Sequence, residues 1–493
     1  MIGLLSDFRV RLGGCVLALA LAGGLGVVTQ TKEPATGAED IVAPTRTVVN
    51  RTALSCPVPG AGGKVQNVVN AVSPELPDGT PIAEGKEAPL SIAPLPATSD
   101  PVGSVLVRGR IASSPAATKL APLAVQGTGP LAAGTAATST STATEGVNRG
   151  MASVPCQVPG SDFWFVGAST AAGRRDVLVL TNLDTINAEV NVTLYTSNGV
   201  LDAPNARGVV VPARGTTEIF LGQVAPGARD LALHVQSTGG RVAPAVRDNA
   251  TSGTTPTGVD WLNLSAPPSE KVVVPAIAPG GGVRILTVVN PSDLQATATV
   301  TVHGPNGPFK PAGISTLQIP AGSVKVIRLD KALGGDASAV TVSSDQPVTA
   351  SVRMTDSTVK EFASIGSTEP LTGPAYLVLP AHEQPAVLQV TAPDQTAGVK
   401  FELRDAANKV IQTRSLDVVG GATVLITFKA QAKPTYLMVE QLRGAIVAGV
   451  TLMPAAKPKE DSVPQVAVWP LTTSLVFRAQ QGAQPDVGAA LSK

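Results

Sequence analysis

The sequence predicts an all-β protein, with tandem immunoglobulin-like β-sandwich repeats following an N-terminal transmembrane helix. Three observations predict it. Beyond residue 163 the chain repeats itself with a period of about 102–108 residues. The strand-like segments of each repeat alternate apolar and polar side chains, the pattern of a sheet with one buried face. An apolar run, Leu12–Val28, follows Arg9 and Arg11 and has the length of a membrane span.

Composition sets the bounds. The chain has 493 residues, enough for roughly three domains. Lys+Arg number 37 against 36 Asp+Glu, so no broad basic face is implied and nucleic acid is not an expected partner. Aromatic residues make up only 3%, which argues against stacking platforms for bases or sugars. Forty-nine glycines and 42 prolines, together with abundant Val and Thr, suit many short strands joined by turns.

Residues 1–30 read as a cytoplasmic flank and a transmembrane signal anchor. The basic flank should stay in the cytoplasm and send the bulk of the chain across the membrane. A single-pass cell-membrane protein is therefore expected. Secretion after signal cleavage is the alternative, disfavoured because no clear small-x-small cleavage site follows Val28. Residues 31–126 read as a Pro-rich stalk and a small, poorly specified β region. Residues 127–155, rich in Ala, Thr, Ser and Gly, read as a flexible linker with too little apolar surface to order itself.

Cys56 and Cys156 open similar phrases, Cys-Pro-Val-Pro-Gly and Cys-Gln-Val-Pro-Gly, and Cys15 lies inside the apolar run. In an oxidising compartment the pair is expected to form a disulfide, tying the membrane-proximal region to the first sandwich.

Three sandwiches are expected, over 156–262, 263–370 and 371–493. Val177–Asn182, Ile285–Pro291 and Val387–Pro393 are equivalent strands. In the next strands Val190, Val192 and Leu194 match Ala298, Val300 and Val302, and then Val399, Phe401 and Leu403. The intervening residues, Tyr195, His303 and Arg404 among them, should face outward. Turns follow at Asn198-Gly199, Asn306-Gly307 and Asn408-Lys409. Lead-in strands recur at Trp164–Gly167, Val272–Pro275 and Leu377–Pro380. Ala467–Pro470 looks like a fourth copy that either closes the third sandwich or lies across it.

Several phrases carry a family resemblance. They are Cys156-x-x-Pro-Gly-Ser-Asp-x-Trp-Phe-Val-Gly167, Arg-Val-Ala-x-Ala-Val-Arg-Asp at 241–248, Gly258–Leu262 with Ala266–Pro268, and the Val-Pro and Pro-Ala-Gly turns of the second repeat. In these the chain resembles a family of secreted, membrane-anchored actinobacterial proteins of undetermined function; the third repeat departs from the pattern. The resemblance implies an extracytoplasmic all-β protein and supplies no catalytic residues. Its members tend to be encoded near envelope glycosyltransferases.

No catalytic, cofactor-binding or metal-ligating set is expected. His234, His303 and His382 fall in different repeats and read as surface or loop residues. Asp260 and Trp261 read as filler in the seam between the first two sandwiches, with an exposed partner contact as the alternative. The acids are scattered rather than paired across a cleft, as glycoside hydrolysis requires. The expected function is a non-enzymatic extracytoplasmic scaffold or protein-binding module of the cell envelope. The alternative is a cell-wall polysaccharide binder, or an accessory to a glycosyltransferase system, with Trp164, Trp261 and Trp469 as candidate contacts.

Overall fold

Short β-branched segments between glycine- and proline-rich turns form strands throughout, as their composition favours. The computed structural model describes residues 45–480, apart from 60–63, 87, 97–99, 119–120, 360 and 455–462. The described chain is almost wholly β, with only single-turn α-helices such as Leu221–Val224 and Asp330–Leu333. No helix among the described residues is long and apolar enough to cross a membrane, and Leu12–Val28 lies outside them.

The strands group into four units, each with its own apolar core. Three are pairs of antiparallel sheets, and in the other, unit II, the two halves are joined into one eight-stranded sheet. In unit I, one sheet has the order Asp162–Ala168, Leu231–Thr238, Ala188–Thr196, Gly199–Leu201. The other runs Thr216–Phe220, Arg174–Thr181, Ala243–Ser252, Thr255–Leu262. Val190, Val192 and Leu194 from the first sheet meet Leu178 and Leu180 from the second in that core. Burying each such side chain contributes roughly 1.5–3 kcal/mol. Unit II repeats the plan with one difference. Its strand Ser338–Asp356 is continuous, pairing early with Ser269–Ile277 and Ala296–Gly304 and late with Gly282–Asn290 and Phe362–Gly366. In unit III, Ala467–Leu471 pairs with Val447–Leu452, so this segment closes the third unit.

The N-terminal unit corrects the expectation of a flexible linker over 127–155; most of the expected stalk lies outside the described residues. Arg51–Cys56, Leu123–Thr128, Leu90–Pro94 and Gly103–Val105 form one sheet; Ile111–Ser113, Val65–Val72, Ala136–Ala143 and Gly150–Pro155 form the other. Ala136–Ala143, the heart of the supposed linker, is a buried central strand. Its small side chains suit a strand covered on both faces, and its hydroxyls find partners. Thr138 donates to the Val378 carbonyl at 2.7 Å, Ser139 to the Pro57 carbonyl at 2.7 Å, and Thr140 lies 2.7 Å from the Ser153 hydroxyl.

The hairpin turns follow the expected chemistry. Gly199 and Gly307 take φ of +110° and +112°, a region closed to most side chains. In unit III, Asn408 itself takes φ +76°, which asparagine tolerates better than other non-glycine residues.

The four units close on one another, and residues Val48–Arg478 form one body. The last strands of the units, Gly150–Pro155, Thr255–Leu262, Phe362–Gly366 and Ala467–Leu471, pack in a cycle, each against the next and the fourth against the first. The outward position shared by Tyr195, His303 and Arg404 therefore faces a neighbouring unit, which buries Tyr195 and His303 and leaves Arg404 partly exposed. Tyr195 joins Trp164, Val289 and Val324 between units I and II. His303 lies 3.1 Å from the Gly421 carbonyl of unit III. Arg404 donates to the Asn408 carbonyl, and Asn408 donates to Glu75 of the N-terminal unit at 2.9 Å.

Candidate functional site

The densest chemistry lies where units I and II meet. Asp176, Asp248 and Asp260 sit on three adjacent strands and are cross-strand partners, Asp176 opposite Asp248 and Asp248 opposite Asp260. Three acids abreast inside a protein require compensation. Arg174 supplies part of it, donating Nε to Asp248 Oδ1 at 2.8 Å and Nη2 to Oδ2 at 2.5 Å. Arg353 of unit II supplies the rest, donating Nη1 to the same Oδ2. The Arg353 guanidinium also lies 3.5 Å from the Phe362 ring centroid, a cation–π contact strengthened by desolvation.

A fourth acid enters from unit II. Glu361 is inserted between Gly150 of the N-terminal unit and Gly258 of unit I. A Cβ at Gly258 would come within 2.2 Å of Glu361 Oε1, and one at Gly150 within 2.3 Å of Oε2. Val259 N–H donates to Glu361 Oε1 at 2.8 Å, and Ser364 N–H donates to Asp260 Oδ2 at 3.1 Å. One carboxyl thus pins three units together.

Protonation separates these acids. Burial would raise Asp248, but Arg353 and Arg174 outweigh it and hold the carboxylate below its ordinary range. Asp176 is raised well above that range, by burial and then by the neighbouring Asp248 charge. Burial likewise raises Asp260. Glu361 is pushed up to about 8 by burial, with the Val259 and Phe362 N–H groups opposing. The cluster therefore sets one carboxyl held low by two arginines beside three acids that burial shifts upward. The Asp176 and Asp248 side chains are 0% exposed. Chemically, the arrangement is a sealed lock between units.

The residues singled out from sequence fall elsewhere than on an exposed surface. Asp260 and Trp261 are 2% and 1% exposed, which overturns the reading of a partner contact. Trp261 packs on Ala152 and Val154 of the N-terminal unit, so it fills a seam, though between the N-terminal unit and unit I. Trp164 and Trp469 are buried as well, and the Trp469 indole N–H donates to the Ser153 hydroxyl at 3.1 Å. All three tryptophans are thus spent on packing.

The histidine expectations also need correction. His303 and His382 are 3% and 4% exposed, and burial lowers the pKa of each. The Gly421 carbonyl can only accept, so His303 Nδ1 carries the proton and Nε2, 2.7 Å from Thr341 Oγ1, accepts. His234 is partly exposed, stacked on Trp164 with ring centroids 4.1 Å apart, and 2.9 Å from Asp162 Oδ2. The three stay apart, each in its own unit.

Cys56 and Cys156 are bonded, with Cα atoms 4.5 Å apart. Cys56 ends a strand of one sheet, and Cys156 follows the last strand of the other, Gly150–Pro155. The bridge staples the two sheets of the N-terminal unit together instead of tying that region to the next sandwich.

A cavity of about 430 Å³ opens where the N-terminal unit and units I and III meet, lined by Leu54, Phe165, Leu262 and Tyr376 among others. Its hydroxyls are partly engaged: Thr52 donates to the Ala132 carbonyl at 2.8 Å. Sequence reasoning singled out Asp260 but did not join it to Asp176, Asp248 and Glu361. The available signal was charge within apolar strands, since Asp248 ends the Arg-Val-Ala-x-Ala-Val-Arg-Asp phrase and Arg353 stands at the position equivalent to Arg247.

No curated protein matches this chain. Among solved structures, Thermotoga maritima 1070 is 20% identical and similar over 21% of this chain and 93% of its own, with a TM-score of 0.18. A glycosyl hydrolase family 2 member from Bacteroides cellulosilyticus DSM 14838 is 8% identical, over 49% of this chain and 31% of its own, at 0.11. The Streptomyces avermitilis alpha-L-rhamnosidase complexed with L-rhamnose is 8% identical, over 82% and 57%, at 0.12. TM-scores this low carry no argument about fold or chemistry. A family model does match, over residues 110–429, from inside the N-terminal unit to the third repeat. The chain belongs to the family of unknown function DUF5719.

Proposed function

We propose that the protein is a non-enzymatic extracytoplasmic scaffold or protein-binding module of the cell envelope, built from tandem immunoglobulin-like sandwiches and held at the membrane by Leu12–Val28. One observation carries the scaffold reading: the strongly perturbed acids are sealed between units, where they lock the ring. A body fixed in this way presents its inter-strand loops at set positions, as a docking platform requires. The basic-flanked apolar run and the resemblance to secreted, membrane-anchored actinobacterial proteins support the compartment. Capture on the full-length chain from solubilised envelope tests the reading. Enrichment of one or more envelope proteins, lost when surface loops are substituted, is the expected result. Retention of wall glycan without any protein would overturn it in favour of the polysaccharide-accessory reading.

A further inference from the structure

At the junction of the N-terminal unit with unit I lies a groove of about 710 Å³. Among the described residues four arginines line it, Arg51, Arg214, Arg241 and Arg478, against a single acid, Asp184. All four are exposed. Arg241 is neutralised by a two-pronged pair with Asp184, at 3.0 and 2.7 Å. Arg51, Arg214 and Arg478 have no ion pair among the described residues. They come from three separate elements: Arg51 opens the strand Arg51–Cys56, Arg478 lies in Phe477–Gln480, and Arg214 sits on the turn after Val209–Val211. Arg214 holds φ +50° there, its N–H donating to the Asp184 carbonyl at 3.0 Å. A chain whose net charge is +1 has thus gathered free guanidiniums in one concave place.

We infer that this groove binds an extended phosphate-bearing polymer. Guanidinium forks donate paired N–H groups to oxyanions. A tetrahedral phosphate accepts from several directions at once, so arginines reaching it from three elements can each be satisfied. A planar carboxylate accepts forks only near its own plane. Leu95, Leu183, Ile186 and Leu475 also line the groove, and no aromatic side chain among the described residues does. Recognition therefore rests on charge and hydrogen bonding, without the stacking that binds bases or sugar rings. A bilayer surface cannot enter a concave groove between two units, whereas a single polymer strand can. This inference goes beyond the scaffold reading and does not depend on which protein docks elsewhere.

The test uses the full-length chain in neutral detergent, with inorganic polyphosphate as probe and poly-L-glutamate as the carboxylate control. The chain should bind polyphosphate with an affinity that falls as salt rises, and bind poly-L-glutamate at least 10-fold more weakly. A triple variant, Arg51→Gln with Arg214→Gly and Arg478→Gln, should lose at least 10-fold in polyphosphate affinity. Arg214→Gly suits the left-handed turn, and the thermal melting curve of the triple variant checks that the fold is kept. Arg207→Gln, at an exposed arginine paired with Asp202 outside the groove, should leave binding unchanged. Any of three results overturns the inference: no polyphosphate binding, a triple variant that binds like the parent, or poly-L-glutamate bound equally well. Envelope protein capture that persists in the triple variant would leave the scaffold reading standing by itself.

Discussion

The seam between units I and II and the junction between the N-terminal unit and unit I use the same residue type to opposite ends. At the first, Arg353 and Arg174 close on the fully buried Asp248 and are themselves left mostly buried. At the second, Arg51, Arg214 and Arg478 stay exposed without ion-pair partners among the described residues. Arg247, the unit I residue equivalent to Arg353, is a third case: it is buried at 7% exposed, yet its Nε and Nη1 find no hydrogen-bond partner among the described residues. The difference teaches that the placement of acids, not arginines, decides what each junction does. Where a neighbouring strand offers a carboxylate, the guanidinium becomes mortar. Where none is offered, it remains available.

The comparison breaks most visibly at Asp248. Asp248→Ala leaves two guanidiniums buried without their counter-charge, and stability should fall by about 3–5 kcal/mol. Denaturant unfolding of the full chain measures this, and an unchanged midpoint would refute the lock. The N-terminal unit has a covalent staple instead. Replacing Cys56 and Cys156 together by Ala should cost roughly 2–5 kcal/mol, because the bridge closes a long loop; equal melting of variant and parent would contradict that.

Glu361 sharpens the contrast through pH. Its folded-state pKa is raised from 4.5 to about 8, so across that window the folded chain keeps a proton that the unfolded chain has released. The associated stability is fully present below about pH 4.5 and is lost as pH rises toward 8, with a slope of up to ~1.4 kcal/mol per pH unit. Asp176 and Asp260 are shifted in the same direction. Glu361→Gln, which mimics the protonated acid, should remove one proton's share of the slope. An unaltered pH profile in that variant would sink the assignment.

Smaller effects separate the equivalent arginines. Arg353→Met should destabilise by a few kcal/mol, because Asp248 loses a partner in the interior. Arg247→Met should be neutral or stabilising by up to about 1 kcal/mol, since it exchanges a half-satisfied guanidinium for an apolar side chain. Equal losses at the two positions would erase the distinction. Least of all, Arg478→Gln in the groove should shift stability by no more than about 0.5 kcal/mol.

Much of each unit is visible in the chain itself. Alternation of two, asparagine-glycine turns and the period near one hundred residues place the strands of units I to III, because each of these signals is local and concerns which face of a strand is apolar. The same signals fail for Ala136–Ala143. Its alanines and hydroxyl residues resemble linker composition, and only the closing of unit III over that strand explains why small side chains belong there. Tyr195, His303 and Arg404 read as wet for a related reason: alternation distinguishes the two faces of a sheet but cannot say whether a neighbouring unit covers the outer one. Asp260 and Trp261 stand out in the sequence as chemistry, yet ring closure buries them. The sequence by itself determined strand positions, turn types and core residues in units I to III. The tertiary structure alone decided which charges meet, because Asp248 with Arg353, and Glu361 with Gly150 and Gly258, come together only when separate units pack. The exposed arginines of the groove are defined by the same packing.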